Sequence, residues 1–216
     1  MAKLKVAVLI SGGGTNLQAL IDACQLADYP AEIVRVVSNV PGVKGLERAE
    51  KAGIATSVVN HKDYSGREAF EDALNDALAG DKVQLICLAG FMRLLTDSFV
   101  RKWHDRILNI HPSLLPAFKG LHIHERVIEE GVRFTGCTVH FVRPDMDDGP
   151  IIAQAAVPVL TDDTPDTLGA RVLISEHQIY PLALKLVAER KARVVEEKVK
   201  LTGVPQPEEA LINPSL

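Results

Sequence analysis

Residues 5–16 read KVAVLISGGGTN. The first six form a near-continuous aliphatic run, the pattern of a strand buried on both faces of a parallel sheet. Ser11-Gly12-Gly13-Gly14-Thr15-Asn16 leaves that strand, and residues 14–27 then place Leu17, Leu20, Ile21 and Cys24 at helical spacing. Strand, glycine-rich loop and helix open a βαβ unit, and in an open α/β sheet such a loop lies at the carboxyl edge where ligands bind. Glycines there let the backbone approach an anion, while helix N-terminal N–H groups and the Thr15 and Asn16 side chains supply donors. The dinucleotide fingerprint is absent, because Leu17 stands where GxGxxG needs its last glycine, and so is the GK[ST] ending of a P-loop. These residues alone leave two readings open, a tight turn and a phosphate site.

The alternation continues outward from this stretch. Strands are expected over 32–38, 55–59 and 83–89, with helices over 44–52 and 66–79, the latter aligning Phe70, Ala73, Leu74 and Leu78. Repeated βαβ units imply an α/β fold: a doubly wound, mostly parallel, Rossmann-like sheet with helices on both faces. After residue 105 the pattern changes. A short strand over 106–110 is followed by a loop over 112–120 holding Pro112, Pro116 and Gly120, a helix over 123–130, and strands over 135–142 and 150–160. Thr164-Pro165 reads as N-cap and first position of a long helix to about Arg190. Residues 192–201 alternate like a hairpin, and the Pro-rich tail from Gly203 is expected to be peripheral. The expected division is a main domain over 1–190 and an extension over 191–216.

Composition narrows the function classes. The chain has 216 residues, 47% of them hydrophobic and 24% charged, with a formal net charge of −4. No basic stripe marks a nucleic-acid binder. Cys24, Cys87 and Cys137 are odd in number and lack CxxC spacing, so neither a disulfide framework nor a cysteine zinc site is indicated. No apolar run approaches the ~18 residues of a membrane span, and no leader pattern opens the chain. A cytoplasmic protein without a membrane partner is expected.

Two further segments carry candidate chemistry. In Asn109-Ile110-His111-Pro112-Ser113-Leu114-Leu115-Pro116 the strand ends near Ile110, so Asn109 and His111 arrive at the ligand edge pointing the same way. A carboxamide donor beside an imidazole suits the oxyanion of an acyl transfer to an amine; two polar residues capping a strand is the alternative. Asp145-Met146-Asp147-Asp148-Gly149-Pro150 joins two strands. It reads either as a solvated turn or as the source of a carboxylate that favours the charged form of a neighbouring imidazole.

SGGGTNLQALID, LAGFMRLL, NIHPSLLPAFKG and GCTVHFV followed by D-M-D-x-GPII, in that order from about residue 5 to Arg190, resemble the phosphoribosylglycinamide formyltransferase family of formyltetrahydrofolate-dependent transferases. The resemblance implies a formyltransferase domain over 1–190. It implies 10-formyltetrahydrofolate as co-substrate, glycinamide ribonucleotide as acceptor in purine biosynthesis, and no metal. Asn109 and His111 then match the oxyanion donors, His111 also the proton donor, and Asp147 the catalytic carboxylate, ahead of Asp145 and Asp148. Gly14, Thr15 and Asn16 match the phosphate loop, and Glu176 a contact on the ribose-phosphate side. Arg67, Met92, Arg93, Leu94, Leu95 and Asn109 match folate-site positions, the apolar members lining a slot for the pterin and Arg67 facing the anionic tail. A homodimer is compatible with this reading.

Two positions depart from the family pattern: Leu173, where a Lys or Gln contacts phosphate, and Pro144, where an acidic or aliphatic residue precedes the loop. Both bear on affinity rather than on the trio. His122, His124 and Glu125 do not read as a metal site, and Trp103, His104 and His61 read as packing or surface positions. Ser113 lacks the elbow of a nucleophile. Three competitors remain. A formyltetrahydrofolate hydrolase is expected to carry an additional N-terminal domain, and a methionyl-tRNA formyltransferase an additional C-terminal domain with a basic surface. A non-catalytic folate or nucleotide binder need not keep the trio.

Overall fold

Strand β1 (Leu4–Ile10) runs through the centre of the molecule with Val6 to Ile10 fully buried, as its unbroken aliphatic run requires. In the computed structural model, which describes residues 2–214, β1 belongs to a seven-stranded sheet. The other strands are β2 (Ala31–Ser38), β3 (Thr56–Val58), β4 (Leu85–Leu88), β5 (Ile107–His111), β6 (Phe134–Phe141) and β7 (Ile151–Pro158). Their order is β3-β2-β1-β4-β5-β6-β7; the first five are parallel to one another, β6 runs antiparallel to β5, and β7 antiparallel to β6. β1 pairs with β2 on one side and with β4 on the other, so the connections leaving β1 and β4 diverge. That divergence is the topological switch point, where an open sheet offers a crevice.

Period-two alternation sends Val6, Val8 and Ile10 to one face and Ala7 and Leu9 to the other. The first face is covered by α1 (Thr15–Cys24), α2 (Lys44–Lys51), α5 (Ile123–Glu129) and α6 (Pro165–Ala188), through Leu17, Leu20, Leu46, Val127, Leu168 and Leu184. The second is covered by α3 (Arg67–Ala79) and α4 (Asp97–Lys102), through Phe70, Leu74, Leu78, Phe99 and Trp103. Thr164 caps α6 with Pro165 in its first turn: Thr164 accepts from the Thr167 N–H, and the Thr167 hydroxyl accepts from the Thr164 N–H in return. The buried Tyr180 hydroxyl lies 2.9 Å from the Leu88 carbonyl and 3.2 Å from that of Leu108. It pins α6 across β4 and β5, and Glu176, four residues earlier, shares its face.

Helix α4 and a single 3-10 turn at His61–Asp63 are elements the sequence pattern did not indicate. α4 is six residues long with its two buried side chains, Phe99 and Val100, adjacent, too short to show a helical period. Its start is marked only by Thr96, whose hydroxyl accepts from the Phe99 N–H. Several expected elements are trimmed at their ends, β4 to Leu85–Leu88 and α1 to Cys24. Residues 192–201 form the hairpin of β8 (Ala192–Val195) and β9 (Lys198–Leu201). Ala192 is buried, and Val194, Val199 and Leu201 pack on the core of the α1–α6 face. Among the described residues no helix is long and apolar enough to cross a membrane.

Candidate active site

β5 delivers Asn109 and His111 to the carboxyl edge of the sheet from alternate positions of one strand. His111 is buried, and its two ring nitrogens face different partners. Nε2 lies 3.0 Å from the Phe118 carbonyl, and Nδ1 lies 3.4 Å from Asp147 Oδ1. Both partners are acceptors, so the ring satisfies them together only by donating from both nitrogens. The 3.4 Å separation exceeds an ordinary N–H···O bond, and catalytic pairs commonly tighten only once substrate is bound.

Asp147 is set apart from its neighbours by burial. Its side chain is 13% exposed, while Asp145 and Asp148 are exposed residues. Its second oxygen, Oδ2, accepts the Gly120 N–H at 2.8 Å, and Lys119 Nζ meets Asp148 Oδ1 at 2.8 Å. The loop over 143–149 is thereby fastened to the loop over 112–120. Asp147 itself has φ 49°, a left-handed conformation that aspartate tolerates. Phe118, with φ 54°, tolerates it less well, at roughly 1–2 kcal/mol; its carbonyl is the one that receives His111.

Asn109 is oriented by a residue that the sequence reading did not single out as a site member. His140, on β6 directly across from Asn109, is buried. Its Nδ1 lies 3.0 Å from the Phe141 carbonyl and its Nε2 lies 3.3 Å from Asn109 Nδ2. With Nδ1–H donating to the carbonyl, Nε2 is left as the acceptor for the Asn109 amide. Burial depresses the His140 pKa, which keeps the ring neutral and in that role. The signal in the sequence was its place in the strand opposite NIH, which becomes visible only once register is known.

The glycine-rich loop lies beside this trio. Gly14 takes φ 69° at the head of α1, and no side chain caps that helix, so its first N–H groups are free to meet an anion. The loop is clamped from behind by α2. The Gly45 N–H donates to the Gly12 carbonyl at 3.1 Å, and Arg48 Nε donates to the Gly13 carbonyl at 2.9 Å. A Cβ on Gly14 would lie 2.7 Å from Gly45 Cα, so the two backbones touch because both residues are glycine. Thr15 is exposed. Asn16 Nδ2 donates to Glu176 Oε2 at 2.6 Å, joining α1 to α6, while Asn16 Oδ1 is buried with no partner among the described residues. Burial raises the Glu176 pKa, against the Asn16 hydrogen bond and the influence of His111.

The segment after β4 forms the other side. A cleft between it and the 143–149 loop is lined by Phe91, Arg93, Leu94, Leu95, Asn109, Met146 and Asp147, among others. Met92 is not one of its lining residues; its N–H donates to Ser11 Oγ at 2.8 Å and its side chain is exposed. Ser11 in turn donates to Asn39 Oδ1 at 2.5 Å, so the start of the glycine-rich loop and this segment share one hydrogen-bond chain. At the far end the buried Glu71 accepts both the N–H and the hydroxyl of Thr96. Arg67 lies exposed in the first turn of α3, outside the cleft lining. Pro144 is part of the lining and Leu173 is half-buried on α6. His122 and Glu125 pair at 3.7 Å on the surface, whereas His124 packs against Gly169 of α6.

A switch-point crevice thus holds an anion-ready helix terminus, an amide–imidazole–carboxylate trio and a cleft of mixed polar and apolar lining side by side. The sequence model of the formyl transferase family matches residues 4–184. A phosphoribosylglycinamide formyltransferase from Haemophilus influenzae is 44% identical over 209 residues, covering 97% of this chain and 99% of that protein. The trifunctional purine biosynthetic protein adenosine-3 of Bos taurus is 55% identical over 194 residues, 90% of this chain, and the chain spans 19% of that protein's length. Among solved structures, glycinamide ribonucleotide transformylase 1 from Symbiobacterium toebii superposes with a TM-score of 0.89 at 46% identity, covering 92% of this chain and 94% of that one. The chain belongs to the formyl transferase family, in its phosphoribosylglycinamide formyltransferase branch.

Proposed function

We propose that the protein transfers the formyl group of 10-formyltetrahydrofolate to the amine of N1-(5-phosphoribosyl)glycinamide, in the cytosol, as a step of purine biosynthesis. The observation that carries this reading is the convergence of Asn109, His111 and Asp147 between the Gly14–Asn16 helix terminus and the cleft beside Leu94 and Leu95. The phosphate rests on the α1 N-terminus and the pterin enters the cleft beside Leu94 and Leu95. The acceptor amine and the formyl carbon then meet at the trio.

The amine nitrogen forms a bond to the formyl carbon, whose oxygen takes up negative charge. The free Nδ2–H of Asn109 donates to that oxygen, and the charged His111 ring, its Nδ1–H shared between Asp147 and the oxygen, stabilises it. Asp147 holds His111 in its donating form and takes up the proton the amine gives up, through water. The bond from the formyl carbon to N10 then breaks, His111 gives N10 a proton and is recharged by the one Asp147 took up, and tetrahydrofolate and the formylated amine leave. No covalent enzyme intermediate is needed. The partners in this reading are two small molecules, and the protein has no metal requirement.

The test offers the purified protein and 10-formyltetrahydrofolate three acceptors: the phosphorylated glycinamide, water alone and charged initiator tRNA. Formylation of the first only is expected. Formate release at the same rate without an acceptor would make the protein a hydrolase, and formyl-tRNA would place it in the tRNA branch.

A further inference from the structure

Arg143 lies two residues beyond the end of β6, at the root of the loop that carries Asp147. Its side chain is only 10% exposed, unusual for an arginine outside a binding site. Two carboxylates from distant parts of the chain hold its guanidinium. Nη2 donates to Asp105 Oδ1 at 2.8 Å, in the turn between α4 and β5, and Nε donates to Glu197 Oε2 at 2.7 Å, in the turn of the β8–β9 hairpin. The Arg143 hydrogen bond holds the Glu197 carboxyl below its ordinary pKa.

The stem of Arg143 is as closely placed as its head. Gly149, at the other end of the loop, has φ 124°, and a Cβ there would lie 3.0 Å from Arg143 Cγ and 2.1 Å from the Phe141 carbonyl. The two ends of the loop therefore press together across Arg143. Arg143 and Pro144 also form part of the cleft wall. The hairpin that supplies Glu197 is a firm support, since Ala192 is buried and Val194, Val199 and Leu201 pack on the core.

We infer that Arg143 is a positioning residue for the 143–149 loop, and that through Glu197 the C-terminal hairpin sets the shape of the folate cleft. The inference rests on the formyltransferase reading of that cleft. Arg143 touches no reacting atom in it; it acts through the loop backbone on Met146, which lines the cleft, and on Asp147, which faces His111. Among the described residues no hydrogen bond or ion pair joins the glycine-rich loop to Asp105, Arg143 or Glu197, so the two ligands should respond differently.

Calorimetric binding of tetrahydrofolate and, separately, of the phosphorylated glycinamide to the full chain tests it without requiring turnover. Arg143→Met keeps the stem and removes the head; Glu197→Ala removes the hairpin's hold and is remote from both ligands. Loss of the contact to the exposed Glu197 is expected to weaken tetrahydrofolate about threefold, and loss of the buried Arg143 charge about tenfold. The pair of changes together should be no worse than Arg143→Met alone, Arg143→Lys should recover part of the loss, and the phosphorylated amine should bind within about twofold of wild type throughout. Equal tetrahydrofolate binding by wild type, Glu197→Ala and Arg143→Met would overturn the inference. So would equal weakening of both ligands, the mark of general destabilisation. Wild-type protein that binds no tetrahydrofolate would instead overturn the formyltransferase reading, and the inference with it.

Discussion

The Asn109 side chain and the His140 ring face each other across β5 and β6, Nδ2 to Nε2 at 3.3 Å. One amide hydrogen is thereby committed to His140, and the other is left to point at the cleft. A catalytic amide on a strand is rigid in its backbone but free to turn about its own side-chain bonds; His140 removes that freedom. Misplacing a catalytic donor by about an ångström costs up to ~10² in rate. His140→Leu is therefore expected to lower kcat about tenfold to a hundredfold with both KM values little changed. Steady-state kinetics in both substrates checks this, and an unchanged kcat would remove His140 from the account.

Glu176 gives the site a pH signature. Burial raises its folded-state pKa above the unfolded value. Between those two values the folded protein binds more protons than the unfolded one, so its stability falls as pH rises through that window. Glu176→Gln keeps an oxygen for Asn16 and cannot ionise. Urea titrations at a series of pH values should show wild type losing stability relative to Glu176→Gln as pH climbs from below the ordinary carboxylate range through the raised value, with a constant gap beyond it. A gap that shrinks with rising pH would contradict the assignment.

Gly45 lies outside the trio, yet its backbone touches the glycine-rich loop. A Cβ there would stand 2.5 Å from Ile10 Cδ1 and 3.0 Å from the Gly12 carbonyl. Overpacking of this kind costs about 1–3 kcal/mol, and here the strain falls on residues 12–14. Gly45→Ala is expected to raise the KM of the phosphorylated amine more than that of the folate. Arg48→Met, which gives up the bond to the Gly13 carbonyl, should act in the same direction with less loss of stability.

Glu71 anchors the opposite wall. It is buried on α3 and accepts two donors from Thr96. Glu71→Ala would leave the Thr96 N–H without its acceptor and the Thr96 hydroxyl with Ser98 Oγ alone, at a cost of about 1–3 kcal/mol, and would free the segment over 92–95. The expected outcome is a lower melting temperature together with a raised folate KM, and an unmoved amine KM. Thermal unfolding and kinetics on the same preparation would show it.

The parts of this structure legible from sequence were those written in local chemistry. KVAVLI announced a buried central strand, Thr164-Pro165 a helix start, and the two-residue spacing of Asn109 and His111 their common face. What remained hidden depended on register or on contacts between distant segments. Three aspartates in four residues are indistinguishable by pattern; burial and the Gly120 bond single out Asp147 in the fold. His140 and Glu71 looked like one more strand residue and one more helix carboxylate until β5 met β6 and α3 met Thr96. Arg143 and Glu197 find each other only through the packing of the hairpin.

The central claim is that Asn109, His111 and Asp147 carry formyl transfer, and single-turnover rates of Asn109→Ala and Asp147→Asn test it most directly. With both substrates saturating, Asn109→Ala should lose on the order of 10²–10³ in rate, and Asp147→Asn about 10²–10⁴, while each variant keeps wild-type melting behaviour and tetrahydrofolate binding. Near wild-type rates in either well-folded variant would contradict the account.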